Sequence, residues 1–275
     1  MAYPTIDAPY GLKPINLIGG QVFAGSTREL PITYAYATNI FYGDFVTLVR
    51  GDLQRLAVST GVVGTVIGIF LGCSYTSPTT KQKIFSQYWP ASTLAGDAVA
   101  IVCDDPDTVF KAAMVSGTTV MASAARCMVG QNLAAVDNSA GNVNTGNSTN
   151  AVLAATSIAL TAALPIRIVG VVPDTAVQLG TGVYSSISTA TVTLASAISF
   201  TPTVGTDVGS IAANGQYIPS GSYVASVTNS TTIVLNAAPL VAFGAASTIV
   251  FTQYPEVLVK VNFGLHKYYA GTAVA

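Results

Sequence analysis

The stretch PEVLVKVNF, residues 255–263, alternates: Val257, Val259, Val261 and Phe263 share one face, Glu256, Lys260 and Asn262 the other, and Leu258 is the exception. A two-residue period of this kind is the pattern of a strand buried on one side. FYGDFVTLVR (Phe41 to Arg50) and LAGDAVAIVCDD (Leu94 to Asp105) each place Gly-Asp ahead of an alternating or fully apolar run, which predicts a turn feeding a strand. GTVIGIFLGCSYTSP predicts another strand, ended by a Ser/Thr/Pro loop. Its glycines at 64, 68 and 72 have the spacing of a helix seam, but the β-branched residues around them favour the strand. LPIRIVGVVPD, Leu164 to Asp174, reads as a strand as well. The one short stretch with helical character is MASAARCMVG, Met121 to Gly130, with Gly130 placed to cap its C-terminus. Val136 to Asn150 is then a polar loop.

The first twenty residues carry Pro4, Pro9 and Pro14 and end in Gly19 and Gly20, so they read as an extended arm. A second change of character comes at Thr175: from there to Pro255 the only charged residue is Asp207, and Ser, Thr, Ala, Gly and Val dominate. Within that block YVASVTNSTTIVLNAA, Tyr223 to Ala238, reads as a hairpin turning at Asn229 and Ser230. SIALTAA from Ser157, TVTLASA from Thr191 and TIVLNAA from Thr232 share a pattern that either marks a repeated strand-and-turn unit or follows from Ala/Thr bias. The expected organisation is all-β: an extended arm over 1–20, a β-barrel or sandwich core over 21–174 completed by 255–275, and an inserted Ser/Thr-rich β subdomain over 175–254.

Charge sharpens this picture. Only 8% of the 275 residues are charged, against about 25% in an ordinary globular chain. Apolar residues make up 51%, too many for a disordered chain. The longest apolar runs, Thr60 to Cys73 and Ala151 to Val172, are respectively too short and too interrupted for a spanning helix of about 20 residues. A net charge of −1 offers no basic footprint for nucleic acid. MAYPTIDAPYGLKP lacks the basic and apolar regions of a secretory signal, so the chain is expected to mature in the cytoplasm where it is made. Cys73, Cys103 and Cys127 are odd in number and sit in apolar contexts, which suits reduced core cysteines.

Candidate chemistry is sparse. Asp104, Asp105 and Asp107 cluster around Pro106, a composition that serves either a metal or acid–base site or a turn. Pro favours the second position of a type I turn and Asp the first, whereas calcium needs six to eight oxygen ligands, so the turn is the expected outcome. The single histidine, His266, lies beside Tyr268 and Tyr269 with no G-x-S-x-G elbow before it, and is expected at a surface or interface. Trp89 is either a core anchor or an interface hot spot, with burial the commoner outcome. The sequons at Asn147 and Asn229 are expected to be ordinary turn residues. No catalytic, cofactor-binding or metal site is expected from these residues.

The ordered landmarks DAPYGLKPINLIGGQVFAGSTRELPI, FYGDFVTLV, GVVGTVIGIF, YWPAST with AIVCDDPDTVF, LPIRIVGVV and EVLVKVNFGLH resemble the head decoration, or cement, proteins of tailed bacteriophages. The resemblance covers about Asp7 to Asp174 and Pro255 to Ala275 and leaves Thr175 to Tyr254 outside it. It implies a structural virion protein on the capsid exterior, bound to the major capsid protein and commonly a homotrimer, with no nucleic acid, membrane or cofactor partner. The arm around Tyr10, Leu12 and Lys13 is then the expected contact with the shell or a neighbouring copy. The alternative is a virion surface protein that binds a host receptor or glycan through the inserted subdomain.

Overall fold

A computed structural model describes residues 8–57, 66–117, 122–124, 126–137, 141–153, 164–200, 202, 204–211, 218–239 and 248–269. The fold is all-β, as the periodicity predicts: three sheets joined by turns and short 3-10 segments, with no α-helix among the described residues. None of its helical segments is long and apolar enough to cross a membrane.

The first sheet is built on two antiparallel neighbours far apart in the chain, Thr108–Val115 and Glu256–Val261. Ile166–Val171 continues it beside Glu256–Val261, followed by Asn132–Leu133. On the other side of Thr108–Val115, Lys13–Leu17 pairs antiparallel with the first half and Ala151–Leu153 runs parallel to the end, carrying Ala135–Val136. Phe110, Ala112, Val257, Val259, Ile166 and Ile168 fill one cluster on the inner face.

The second sheet runs Arg28–Pro31, Val99–Cys103, Gly68–Thr76, Phe45–Val49, Asp52–Arg55, with Lys83–Ser86 added along the second half of Gly68–Thr76. Both of its faces are covered, which is why its strands read as nearly continuous apolar runs. Phe45, Ile69 and Cys103 point into the cluster shared with the first sheet, while Val46, Phe70 and Val102 point the other way onto Trp89. Gly68 has a packing cause: a Cβ there would lie 2.2 Å from the Cys103 carbonyl oxygen.

The third sheet uses only residues 177–253, in the order Asp207–Ile211, Thr248–Gln253, Val177–Ser188, Thr191–Leu194, Thr232–Leu235, Val224–Asn229. Val192, Leu194, Ile233, Leu235, Ile249 and Phe251 form a separate cluster within it. The chain leaves the first sheet after Val171 and returns at Glu256; Val171 and Val257 are cross-strand partners, and the Val172 N–H donates to the Glu256 carbonyl at 3.1 Å. Two of the three similar segments, Thr191–Leu194 and Thr232–Leu235, are antiparallel neighbours here; the third, from Ser157, lies outside the described residues. The 223–238 hairpin forms, with Asn229 and Thr232 paired and Ser230 and Thr231 at its tip.

Two expectations need correction. Among the described residues of the stretch expected to be helical, 122–124 and 126–130, there is one 3-10 turn, Arg126–Met128, and no α-helix. Upstream of it Ala124 is extended, its N–H donating to the Tyr254 carbonyl at 3.0 Å, and Gly130 donates to Ile168 at 2.8 Å with φ at +92°. Tertiary β pairing has overridden a weak local helix propensity. Glu256, placed by alternation on the polar face, is 3% exposed, because Tyr10 and Lys111 cover and pair with its carboxylate.

Candidate functional site

The acidic cluster that stands out in the sequence is a turn. The Asp105 side chain accepts the Asp107 N–H at 2.9 Å, and the Asp105 carbonyl accepts the Thr108 N–H at 3.1 Å, closing the link from Val99–Cys103 to Thr108–Val115. The carboxylates diverge from this turn. Asp104 accepts from Arg28 Nε at 2.7 Å and from the Tyr268 hydroxyl, and Asp107 accepts from Lys260 Nζ at 3.2 Å. Among the described residues no three His, Cys, Asp or Glu side chains converge as metal ligands.

Tyr10, Leu12 and Lys13 are held by the chain's own first sheet. Leu12 is completely buried in the main cluster, so it is not available to a partner while the strand Lys13–Leu17 is docked. Tyr10 donates to Glu256, which also takes Lys111 Nζ at 3.1 Å; Lys13 Nζ lies 4.7 Å from the Tyr10 ring centroid and Lys111 Nζ 5.7 Å. Burial and the adjacent Glu256 carboxylate push the Tyr10 hydroxyl pKa up, so the phenol remains a donor at any physiological pH. Two lysines directly opposite each other, Lys13 and Lys111, repel. The Tyr10 ring and the Glu256 carboxylate beside them offset that repulsion.

A polar hub that the sequence does not announce lies beneath this segment. Asp44, 1% exposed, accepts from the Phe41 N–H at 2.8 Å and Arg55 Nε at 3.2 Å through one oxygen. Its other oxygen accepts from Ser148 Oγ at 2.6 Å and Asn150 Nδ2 at 3.1 Å. Arg55 also bridges to Asp137, and both side chains are 8% exposed. The hub therefore fastens the second sheet to the 141–150 loop, and the loop in turn holds Gly11 through the Asn150 carbonyl at 3.0 Å. A Gly-Asp turn is visible in the sequence, but two of its partners, Ser148 and Asn150, lie 104 and 106 residues away and carry no local signal.

His266 is not a surface residue. It is 1% exposed, with its backbone bridged to Val66 and its Nδ1 accepting the Tyr268 N–H at 3.3 Å. Burial pushes its pKa down, so the ring is neutral at pH 7 and serves packing. Trp89 is fully buried, edge-on to Tyr75 at 5.3 Å between ring centroids. Cys73 and Cys103 are free and buried, and desolvation raises their thiols to about 12 and about 11, which keeps them protonated. Neither Asn147 nor Asn229 is an ordinary turn residue: Asn147 bridges to Tyr42, and Asn229 ends the strand Val224–Asn229 and accepts the Thr231 N–H at 2.9 Å.

An open trough of about 420 Å³ lies on the second sheet, lined by Tyr42, Leu71, Cys73, Phe85 and Ile101 with Ser86 and Gln87, and a smaller recess opens beside Asp207 and Arg126. Phe85, on Lys83–Ser86, is 79% exposed. No charged side chain lines the trough. Such a surface offers mainly apolar contact.

No known family matches the chain, and no curated protein matches it in sequence.

Proposed function

We propose that the chain is a structural virion protein that binds the outside of a phage capsid, as a homotrimer, and cements neighbouring capsid subunits. The observation that carries this reading is the uncharged trough beside Phe85, an apolar surface on a chain with only 8% charged residues. The ordered landmarks described above support it. So does the commitment of nearly every conspicuous polar residue, Asp44, Asp104, Asp107 and Glu256 among them, to ties within the fold. Packaged genome pushes capsid subunits apart, and a clamp that touches several of them resists through multivalency, because each further contact is intramolecular.

Attachment of this kind rests on apolar burial, which salt does not screen. Binding to bare heads, followed by co-sedimentation, is expected to change little between about 0.1 M and about 1 M sodium chloride. Decorated heads are expected to melt above bare heads, and Phe85→Asp is expected to abolish both effects. Equal melting of bare and decorated heads would remove the cement role. A second reading, a surface protein that engages a host receptor or glycan through the third sheet, is favoured by one feature, the recess at Asp207. Copy number per virion separates the two, hundreds for cement and a handful for an adhesin.

A further inference from the structure

The block from Thr175 to Tyr254 contains one charged residue, and the fold puts it at the seam with the first sheet. Asp207 begins the edge strand Asp207–Ile211, paired with Thr252 on one side and bridged to Tyr223 on the other. Across the seam stands Arg126, whose N–H donates to Asp207 Oδ1 at 3.3 Å and whose Nε donates to the Tyr254 hydroxyl at 3.3 Å. The guanidinium lies 5.7 Å from the Tyr254 ring centroid and forms no ion pair within 4 Å among the described residues. Between Arg126 and Asp207 opens a recess of about 250 Å³, lined further by Ser220, Ser222 and Thr252. Ser222 is 2% exposed and its hydroxyl, itself out of solvent contact, has no partner among the described residues, and a Cβ on Gly209, another lining residue, would meet nothing within 4 Å.

The chemistry of this recess selects its occupant. An anion would face the Asp207 carboxylate and a cation the Arg126 guanidinium, while an apolar group would cut both off from water and add nothing to the bonds they make across the seam. Hydroxyl groups both donate and accept, so a ligand that carries several on adjacent carbons satisfies carboxylate and guanidinium together. At about 250 Å³ the recess is smaller than the ~300–1,000 Å³ of drug-sized pockets and suits a single ring. We infer that the seam between the third sheet and the first binds one neutral sugar unit, with Asp207 and Arg126 as its hydrogen-bonding groups. This site is independent of capsid attachment, and its failure leaves the cement role untouched.

The test uses the full purified chain without capsids. Saturation-transfer NMR and calorimetric titration are run against glucose, galactose, mannose, N-acetylglucosamine and their disaccharides, with sialic acid and a sulfated sugar as charged comparators. At least one neutral sugar is expected to bind with a Kd of about 1 mM or tighter. Asp207→Asn is expected to weaken it about tenfold. Gly209→Val, which fills the recess from a position with open space around its Cβ, is expected to abolish binding while the far-UV circular dichroism spectrum stays that of the wild type. No binding by any neutral sugar up to about 10 mM, binding by the charged comparators alone, or binding that survives both substitutions with the fold intact overturns the inference.

Discussion

Replacing Asp207 by Asn removes a charge whose environment works against it, and the consequence for stability follows from the structure. The carboxyl is pushed up from the ordinary 3.8 to about 6, first by burial, with the Arg126 N–H and guanidinium pulling weakly the other way. The folded chain therefore holds a proton on Asp207 that the unfolded chain has already released between those two values. Its contribution to stability is fully present below about 3.8 and is lost as pH rises through about 6. At about 1.4 kcal/mol per pH unit the full loss is about 3 kcal/mol. Asp207 keeps part of its solvent contact, which reduces this to about 1–2 kcal/mol. Asn is neutral in both states and carries the same carbonyl acceptor for the Arg126 N–H. Asp207→Asn is thus expected to stabilise the protein by about 1–2 kcal/mol above neutral pH, or about 2–6 °C in Tm for a chain of this size, with the advantage vanishing below about pH 4. Thermal or urea unfolding of both proteins across that range measures it, since every other titrating group cancels in the difference. A variant that is less stable at neutral pH, or an advantage that persists in acid, would refute the reasoning.

Three further outcomes are expected. Arg55→Met strands Asp44 and Asp137, 1% and 8% exposed, without their shared cation, and denaturant titration should show a loss of about 3–5 kcal/mol; a loss below about 1 kcal/mol would mean the hub is not buried as described. Gly43→Ala and Gly51→Ala start from nearly the same φ, +93° and +94°, but a Cβ on Gly43 would lie 2.7 Å from the Leu12 nitrogen whereas one on Gly51 meets nothing within 4 Å. Gly51→Ala should cost about 1–2 kcal/mol from the backbone alone, Gly43→Ala clearly more, and equal losses on thermal unfolding would deny the close approach. Replacing 175–254 with a short Gly/Ser bridge should leave a folded, soluble chain, because the flanking residues Val171 and Val257 are already cross-strand partners; loss of dispersed amide resonances in a proton–nitrogen correlation spectrum would show that the third sheet is needed for the others.

The strands were readable because period-two alternation and Gly-Asp punctuation are local signals, and they place Phe45–Val49, Val99–Cys103, Ile166–Val171 and Glu256–Val261 within a few residues of where they form. DDPD was readable as a turn for the same reason. Glu256 was misplaced because alternation assigns a face and says nothing of what covers it; Tyr10, 246 residues away, covers it. His266 reads as surface only until Val66 is known to pair with it. The Met121 to Gly130 stretch has enough Ala and Met to suggest a helix, and a bridge from Ala124 to Tyr254 outweighs that preference. The Asp44 hub and the Asp207 recess are both assembled from segments distant in sequence. Composition marked Asp207 as solitary without indicating what it faces.

The order of the strands along the chain also sets an order of assembly during synthesis. The second sheet is complete once Cys103 has emerged from the ribosome, and the third once Gln253 has; the first sheet waits for Glu256–Val261, the neighbour of Thr108–Val115. Thr108–Val115, buried at seven of its eight positions in the finished fold, must therefore stand with one edge open while some 140 residues are translated, roughly 7–28 seconds at about 5–20 residues per second. An open apolar edge is a template for pairing with another nascent chain. Soluble yield is accordingly expected to rise with whatever shortens the interval between these two strands or spaces neighbouring ribosomes.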